Sequence, residues 1–190
     1  INEVLSVSIN CEVEEFDSKS DRLLYGLRWL PSKGGKPQVK WVVQSMASVA
    51  QEAVKKIRAI SEPAREVAKW YEVNPDKLFL PPELETLREC QYLTSAQVGM
   101  IVFADPPLNG NNTRRGGDWC RKHNIPERCA YDPKCKDAPR FAFKDVELAL
   151  TKIKPKGFPF LDRERRIKYS NALCLVRRNE LNKMATYRSA

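Results

Sequence analysis

Residues 23–43 read LLYGLRWLPSKGGKPQVKWVV, and this stretch decides how the fold begins. Two runs rich in aromatic and β-branched residues flank two adjacent glycines, which supply the positive φ angles that tight hairpin turns require. The stretch therefore predicts an antiparallel β-hairpin with Lys33 and Lys36 at its tip and Lys40 along its second strand. Basic side chains at a tip are most simply solvated, whereas a lysine held beside a phosphate can act as a proton donor.

The residues after this hairpin show helical periodicity. Apolar residues between positions 46 and 60 recur at three- and four-residue steps, which predicts an amphipathic helix. Ser61 followed by Pro63 predicts the cap and first turn of a second helix. Further helices are predicted from about Asp145 and over residues 169–184. The expected fold class is therefore α+β and mostly helical, with a small N-terminal antiparallel β-sheet or hairpin followed by helices.

A pair of short helices is predicted between residues 94 and 126. Thr94 and Gln97 have the spacing of a capping box at the start of the first helix, and Asp118 is placed to cap the second. Such a pair resembles a helix-turn-helix that reads DNA, although its loop is longer than the usual turn. Two helices that only pack within a larger core remain the alternative. The candidate DNA-binding side chains of this pair are Arg114, Arg115, Arg121 and Lys122.

Composition and charge narrow the function classes. The chain has 190 residues, of which 42% are hydrophobic and 30% are charged, and it contains no apolar run long enough to span a membrane. Its net charge of +9 is concentrated in residues 114–190, where 20 Lys and Arg face 9 Asp and Glu. Such an excess favours a polyanionic partner, above all double-stranded DNA, and we expect no membrane association. A generally lysine-rich surface remains the alternative.

Three cysteines and the only histidine lie close together in the sequence. Cys120, His123, Cys129 and Cys135 are chemically able to hold zinc. Their spacing is irregular and no C-x2-C pair occurs, so we expect no metal and reduced thiols. No export signal is visible, which favours a cytoplasmic location. A small zinc-stabilised interaction module remains an open alternative.

The usual catalytic motifs are missing from the sequence. It holds no G-x-G-x-x-G, Walker loop, H-E-x-x-H or G-x-S-x-G pattern, and we expect no cofactor. Dinucleotide-dependent, P-loop, zinc-protease and α/β-hydrolase functions are therefore not indicated.

Two stretches resemble the start of the catalytic domain of tyrosine recombinases, the phage-integrase family. They are INEVLSVSIN at residues 1–10 and LRWLPSKGGKPQVKWV at residues 27–42. Residues 3–5, Glu-Val-Leu, match part of the family's Arg-x-x-Glu-(Val/Leu)-Leu motif, whose arginine would precede Ile1. Lys33, in Ser-Lys-Gly-Gly-Lys, matches the family's catalytic lysine. Later segments such as YLTSAQVGMIV and DWCRKHNIP are similar to a large integrase subgroup with inserted helical material.

The resemblance implies three parts. Residues 1–80 would begin the catalytic domain, residues 81–140 would form a helix-turn-helix-like insertion, and residues 141–190 would be a basic helical segment returning toward the catalytic domain. Lys36 and Lys40 would contact DNA beside the catalytic lysine.

The resemblance also implies an activity for the complete protein. It would cut and rejoin DNA through a 3′-phosphotyrosyl intermediate, self-associate on DNA, and use Lys33 to protonate the departing oxygen. The chain has no His-x-x-Arg box, and Tyr187 is not assigned as the nucleophile, so we expect the chain to be a piece of a longer recombinase. The alternative function is a non-enzymatic helix-turn-helix protein that binds DNA.

Overall fold

The computed structural model describes residues 7–31, 35–105, 112–128, 140–164 and 166–186. The chain forms two compact units, each built from separate stretches of sequence. Unit 1 comprises Ile1–Lys69, Pro155–Val176 and Met184–Ala190, and unit 2 comprises Trp70–Lys154 and Arg177–Lys183. This division differs from the three consecutive parts expected from the sequence, because both units use residues from each half of the chain.

Unit 1 begins with a three-stranded antiparallel sheet in the order β1-β2-β3. Its strands are β1 (Glu12–Asp17), β2 (Arg22–Trp29) and β3 (Gln38–Trp41). Strands β2 and β3 pair with Arg28 opposite Val39, so the predicted hairpin is confirmed.

A single long helix, α1 (Ala47–Val73), follows the sheet. The sequence predicts two helices here, but the chain stays helical through Pro63. Ser61 is buried and its hydroxyl accepts a hydrogen bond from the backbone N–H of Leu175, so it does not cap a helix. Arg65 is fully buried one turn further along, where it donates to the backbone carbonyl of Arg58 and to the carboxylate of Glu62.

The core of unit 1 includes residues that are far apart in sequence. Cys11, Val54, Leu173 and Cys174 form a buried cluster. Arg58 supports the sheet beside this cluster, because it forms an ion pair with Glu12 and donates to the carbonyl of Ile9.

The C-terminal part of unit 1 is extended rather than helical. It contains β6 (Phe160–Asp162), β7 (Ile167–Lys168) and a short 3-10 turn, Tyr169–Asn171. Ser8 then forms an antiparallel bridge with Ala172, and the N–H of Leu173 donates to the carbonyl of Val7 at 2.8 Å. The helix predicted over residues 169–184 is therefore wrong, because residues 171–173 pair with residues 7–9 and Val176 forms an antiparallel bridge with Ala185.

Unit 2 is built around two short strands and three helices. The strands β4 (Tyr92–Thr94) and β5 (Arg140–Ala142) pair antiparallel, and the helices are α2 (Ser95–Val102), α3 (Asn112–Lys122) and α4 (Phe143–Lys152). A 3-10 helix, Pro82–Glu89, precedes β4. The core joins these elements through Leu78, Leu93, Val98, Ile101, Trp119, Cys120, Phe141, Val146 and Leu181, among others.

The architecture of the chain is therefore α+β, with an N-terminal antiparallel sheet followed by helices, as the sequence predicts. Over the ranges that the structure describes, every helix is too short or too polar to cross a bilayer.

Candidate nucleic-acid interface

Helix α2 begins at a capping box that directly follows β4. The Thr94 hydroxyl accepts a hydrogen bond from the Gln97 N–H at 3.2 Å, and the Gln97 side chain accepts one from the Thr94 N–H at 2.8 Å. The capping box predicted at these two residues is confirmed. It satisfies two backbone donors that a helix start leaves unpaired, and so fixes where α2 begins.

Helices α2 and α3 touch through their backbones. A Cβ on Gly116 of α3 would overlap the carbonyl oxygen of Ser95 and lie 2.6 Å from the N atom of Gly99 in α2. A Cβ on Gly99 would lie 2.5 Å from the carbonyl oxygen of Asn112. The two helices therefore form an interlocked pair whose relative placement is set by backbone atoms rather than by flexible side chains.

Helix α3 starts earlier than the sequence predicts. It begins at Asn112, so Asp118 lies in the middle of the helix and the prediction that Asp118 caps it is wrong. Two consecutive glycines, Gly116 and Gly117, indicated a loop because glycine weakens helices. Both are buried, and the close contact of Gly116 with α2 is possible only for glycine.

The outward face of α3 carries a row of alternating charges. Arg114, Asp118 and Arg121 follow one another at i, i+4 and i+7, with side chains exposed by 80%, 55% and 71%. One carboxylate oxygen of Asp118 accepts a hydrogen bond from Arg121, and the other lies 3.9 Å from Nε of Arg114. The row lies opposite the buried side of the helix, which Gly116 and Cys120 help to form.

Arg115 has different surroundings from the other basic residues of α3. Its guanidinium lies 3.9 Å from the ring centroid of Phe103, and its Nη1 donates to the carbonyl of Asp105 at 3.2 Å. Arg115 therefore connects α3 to the segment that follows α2.

Beside α3 lies a cleft of about 470 Å³ lined by aromatic and charged side chains. Trp119 and His123 stack there with their ring centroids 4.3 Å apart. Burial, together with the charge of Lys122, lowers the pKa of His123 below its ordinary value. The imidazole is therefore mostly uncharged at neutral pH. The positive charge beside it comes from Lys122, which is exposed and directly precedes His123 in the chain.

A β-hairpin follows α3. Glu127 forms an antiparallel bridge with Phe141, and the N–H of Arg128 donates to the carbonyl of Arg140 at 2.7 Å. Phe141 also pairs with Leu93, so β5 has partners on both edges. The residues that connect the two sides of this hairpin, 129–139, lie outside the described residues.

The structure describes two of the four candidate zinc ligands, Cys120 and His123. Cys120 is buried and burial raises the pKa of its thiol to about 12, while Cys129 and Cys135 lie outside the described residues. Within the described ranges no three His, Cys, Asp or Glu side chains are grouped as a metal site.

The structure also describes only some of the residues that carry the resemblance to recombinases. Lys33, residues 3–5 and Tyr187 lie outside the described residues. Lys36 is exposed between β2 and β3, and the ammonium of Lys40 lies 3.7 Å from the ring centroid of Trp29. The structure therefore brings Arg114, Arg121 and Lys122 together on α3.

Comparisons with protein-family models, with curated proteins and with solved structures give no match.

Sequence reasoning missed two features of this interface. Asp118 was assigned to a helix cap, although its spacing to Arg114 and Arg121 is that of helical ion pairs. The sequence places Gly116 in the loop before the second predicted helix, although glycines such as Gly99 and Gly116 are also what a close helix crossing requires. The spacing of the charged residues is therefore a sequence signal for the ion-pair row, and the glycines are a signal for the close helix crossing.

Proposed function

We propose that this chain is part of a site-specific DNA recombinase and that unit 2 holds it on duplex DNA through α3. The observation that carries the proposal is the exposed row of Arg114, Asp118 and Arg121 on a helix whose placement is fixed by backbone contact with α2. A rigidly held helix with exposed arginines is what a DNA-reading helix needs, since small changes of orientation move its side chains off the bases.

The dimensions of α3 support binding in a major groove. The major groove of B-DNA is about 12 Å wide, and an α-helix with its side chains is about 10–12 Å across. The eleven residues of α3 extend over about 16 Å. Its outward face, with Arg114 and Arg121, would meet the base edges.

The antiparallel pairing of β2 and β3 supports the recombinase part of the proposal. The residues between these strands, 30–37, include Lys33, which matches the catalytic lysine of the phage-integrase family. In the proposed reaction a base elsewhere in the complete protein takes the proton of a tyrosine, whose oxygen attacks phosphorus; the phosphotyrosyl bond forms as the bond from phosphorus to the 5′ oxygen breaks. Lys33 gives its proton to the departing 5′ oxygen, and the rejoining step reverses these transfers.

DNA binding is tested with the 190-residue chain and a fluorescent duplex of mixed sequence. We expect binding at about 50 mM salt that weakens steeply toward 200 mM, because bound arginines release counterions from the phosphates. Replacing both Arg114 and Arg121 by alanine should weaken binding and reduce the salt slope by about 1–2. Lys144→Ala is the matched control, because Lys144 is exposed on α4, in the same unit but on another helix.

Two outcomes contradict this part of the proposal. One is a wild-type chain that does not bind the duplex at 50 mM salt. The other is a loss of binding free energy on Lys144→Ala that is half or more of that of the double variant, since total charge alone predicts half the loss for one charge out of two.

A non-enzymatic DNA-binding protein is the second candidate, and the same interlocked helix pair favours it. The two candidates differ in whether the complete protein cleaves DNA. A nicked suicide duplex, which traps the covalent protein–DNA product, distinguishes them. Trapped product supports the recombinase, and its absence with intact binding supports the second candidate.

A further inference from the structure

We infer that Asp118 is a positioning residue that sets the sequence preference of α3 by holding Arg121 ready to read a guanine. This inference rests on the proposed binding of DNA by unit 2. It concerns how bases would be selected rather than whether DNA is bound.

The geometry places the three charged side chains in one stripe. Steps of four and seven residues along an α-helix return to nearly the same direction, so Arg114, Asp118 and Arg121 lie within about 60° of each other around the axis. Asp118 is in the centre, with Arg121 bonded to one carboxylate oxygen and Arg114 close to the other.

Folding does not account for this arrangement. All three side chains are more than half exposed, and ion pairs so exposed add little to stability. The buried contacts of Gly116, Trp119 and Cys120 already fix the helix. The row is therefore available for a role other than folding, at the surface where it lies.

Holding an arginine in one place favours base reading. A guanidinium has five N–H donors in a planar fork, so a bond to Asp118 leaves others for O6 and N7 of guanine. Binding an arginine that is already oriented costs less conformational entropy than ordering a mobile one. Asp118 thereby favours the DNA position at which the fork finds both acceptors.

The same carboxylate works against indiscriminate binding. An anion on the face that meets DNA repels phosphates, so it weakens affinity for every sequence. A DNA site is then bound tightly only where its contacts with the bases outweigh the repulsion between Asp118 and the phosphates. Removing Asp118 should therefore have opposite effects on affinity and on selectivity.

The experiment begins by selecting preferred duplexes from a random pool with the wild-type 190-residue chain. Dissociation constants are then measured for the preferred duplex and for a scrambled one, with wild type, Asp118→Ala, Arg121→Lys and Lys144→Ala. We expect Asp118→Ala to bind the scrambled duplex more tightly than wild type. Its preference for the selected duplex should fall by about 5- to 150-fold, the range of one bidentate base contact.

The other variants separate charge from geometry. Arg121→Lys keeps the charge and loses the fork, so it should lose the preference and keep the salt dependence. Lys144→Ala should keep the preference. Unfolding temperatures equal to that of wild type show that Asp118→Ala folds normally.

Different results overturn different claims. A wild-type chain that binds no duplex overturns the proposed function, and with it this inference. Wild-type binding with an unchanged preference in Asp118→Ala overturns the inference alone. A preference for cytosine that depends on Asp118 but survives Arg121→Lys also overturns it, because the carboxylate would then read the base itself.

Discussion

Lys33 is the residue on which the recombinase proposal depends most directly. In the complete protein, Lys33→Ala should slow strand cleavage by about 10²- to 10⁴-fold, because the departing 5′ oxygen loses its proton donor. The free energy of unfolding should change by less than about 0.5 kcal/mol, because a lysine predicted at a hairpin tip is not expected to pack in a core. Cleavage rates on a suicide duplex, measured alongside binding, give both quantities.

Lys36→Ala is the control for Lys33, since Lys36 shares the turn and the charge. It should cleave at nearly the wild-type rate. Equal rates for wild type and both variants would mean that Lys33 is a surface lysine without a role in the chemistry.

At the residue scale, the sequence predicts which basic side chains are exposed on α3 better than it predicts the contacts of each side chain. Arg114, Arg121 and Lys122 are exposed on α3, consistent with candidates chosen only by charge and position. Arg115 lies on Phe103, a contact that depends on the path of the chain after α2. Such a contact has no signature in the sequence, because it joins residues from two elements whose packing must be known first.

At the scale of elements, Gly116 is the described glycine at which an added Cβ would come closest to another atom. Gly116→Ala should destabilise the protein by about 2–3 kcal/mol, since the added methyl group meets backbone atoms of Ser95 and Gly99 that have little room to move. Urea unfolding measures the loss, and DNA binding should weaken with it because α3 loses its fixed position.

The neighbouring glycine is a matched control. At Gly117 an added Cβ would be 3.6 Å from the nearest atom, the hydroxyl oxygen of Ser95, which is an ordinary contact. Gly117→Ala should therefore stabilise the protein by about 0.5–1 kcal/mol, because alanine favours a helix over glycine. Equal losses in both variants would show that helix propensity, and not the crossing, controls this site.

The elements predicted best from the sequence are those formed by local signals. The β2–β3 hairpin and the capping box at Thr94 depend on residues within a few positions of each other, and both are confirmed. Elements that depend on distant partners were predicted wrongly. The segment from residue 169 was expected to be helical, but its backbone pairs with residues 7–9, more than 160 positions earlier. Pro63 stays within α1, although Ser61 and Pro63 predict the start of a second helix there.

At the scale of the whole molecule, buried thiols and phenols should lower the stability of the protein at alkaline pH. Burial raises the pKa of Cys120 and of Tyr71 to about 12, and it also raises the pKa of Cys11 and Cys174. The native state therefore keeps protons that the unfolded chain releases above about pH 9, and the free energy of unfolding must fall as the pH rises. Below pH 8 these groups stay protonated in both states, so they should not make the free energy of unfolding depend on pH.

Urea unfolding midpoints between pH 7 and 10 test this expectation. The contribution of Cys120 at pH 10 is about 1 kcal/mol. Cys120→Ala should therefore show a smaller decrease between pH 8 and 10 than the wild type, whatever its stability at pH 7. Parallel curves for the two proteins would contradict the assignment.

The way that both units draw on distant stretches of the chain also affects its synthesis. Val54 emerges from the ribosome about 120 residues before Leu173, its partner in the core of unit 1. At 5–20 residues per second, this separation lasts roughly 6 to 24 seconds. During that time the apolar face of α1 lacks its contacts with Leu173 and Cys174. The core of unit 2 also lacks Leu181, which has not yet been synthesised. A chaperone that recognises apolar nascent chains therefore has several seconds in which to bind this protein before either core is complete.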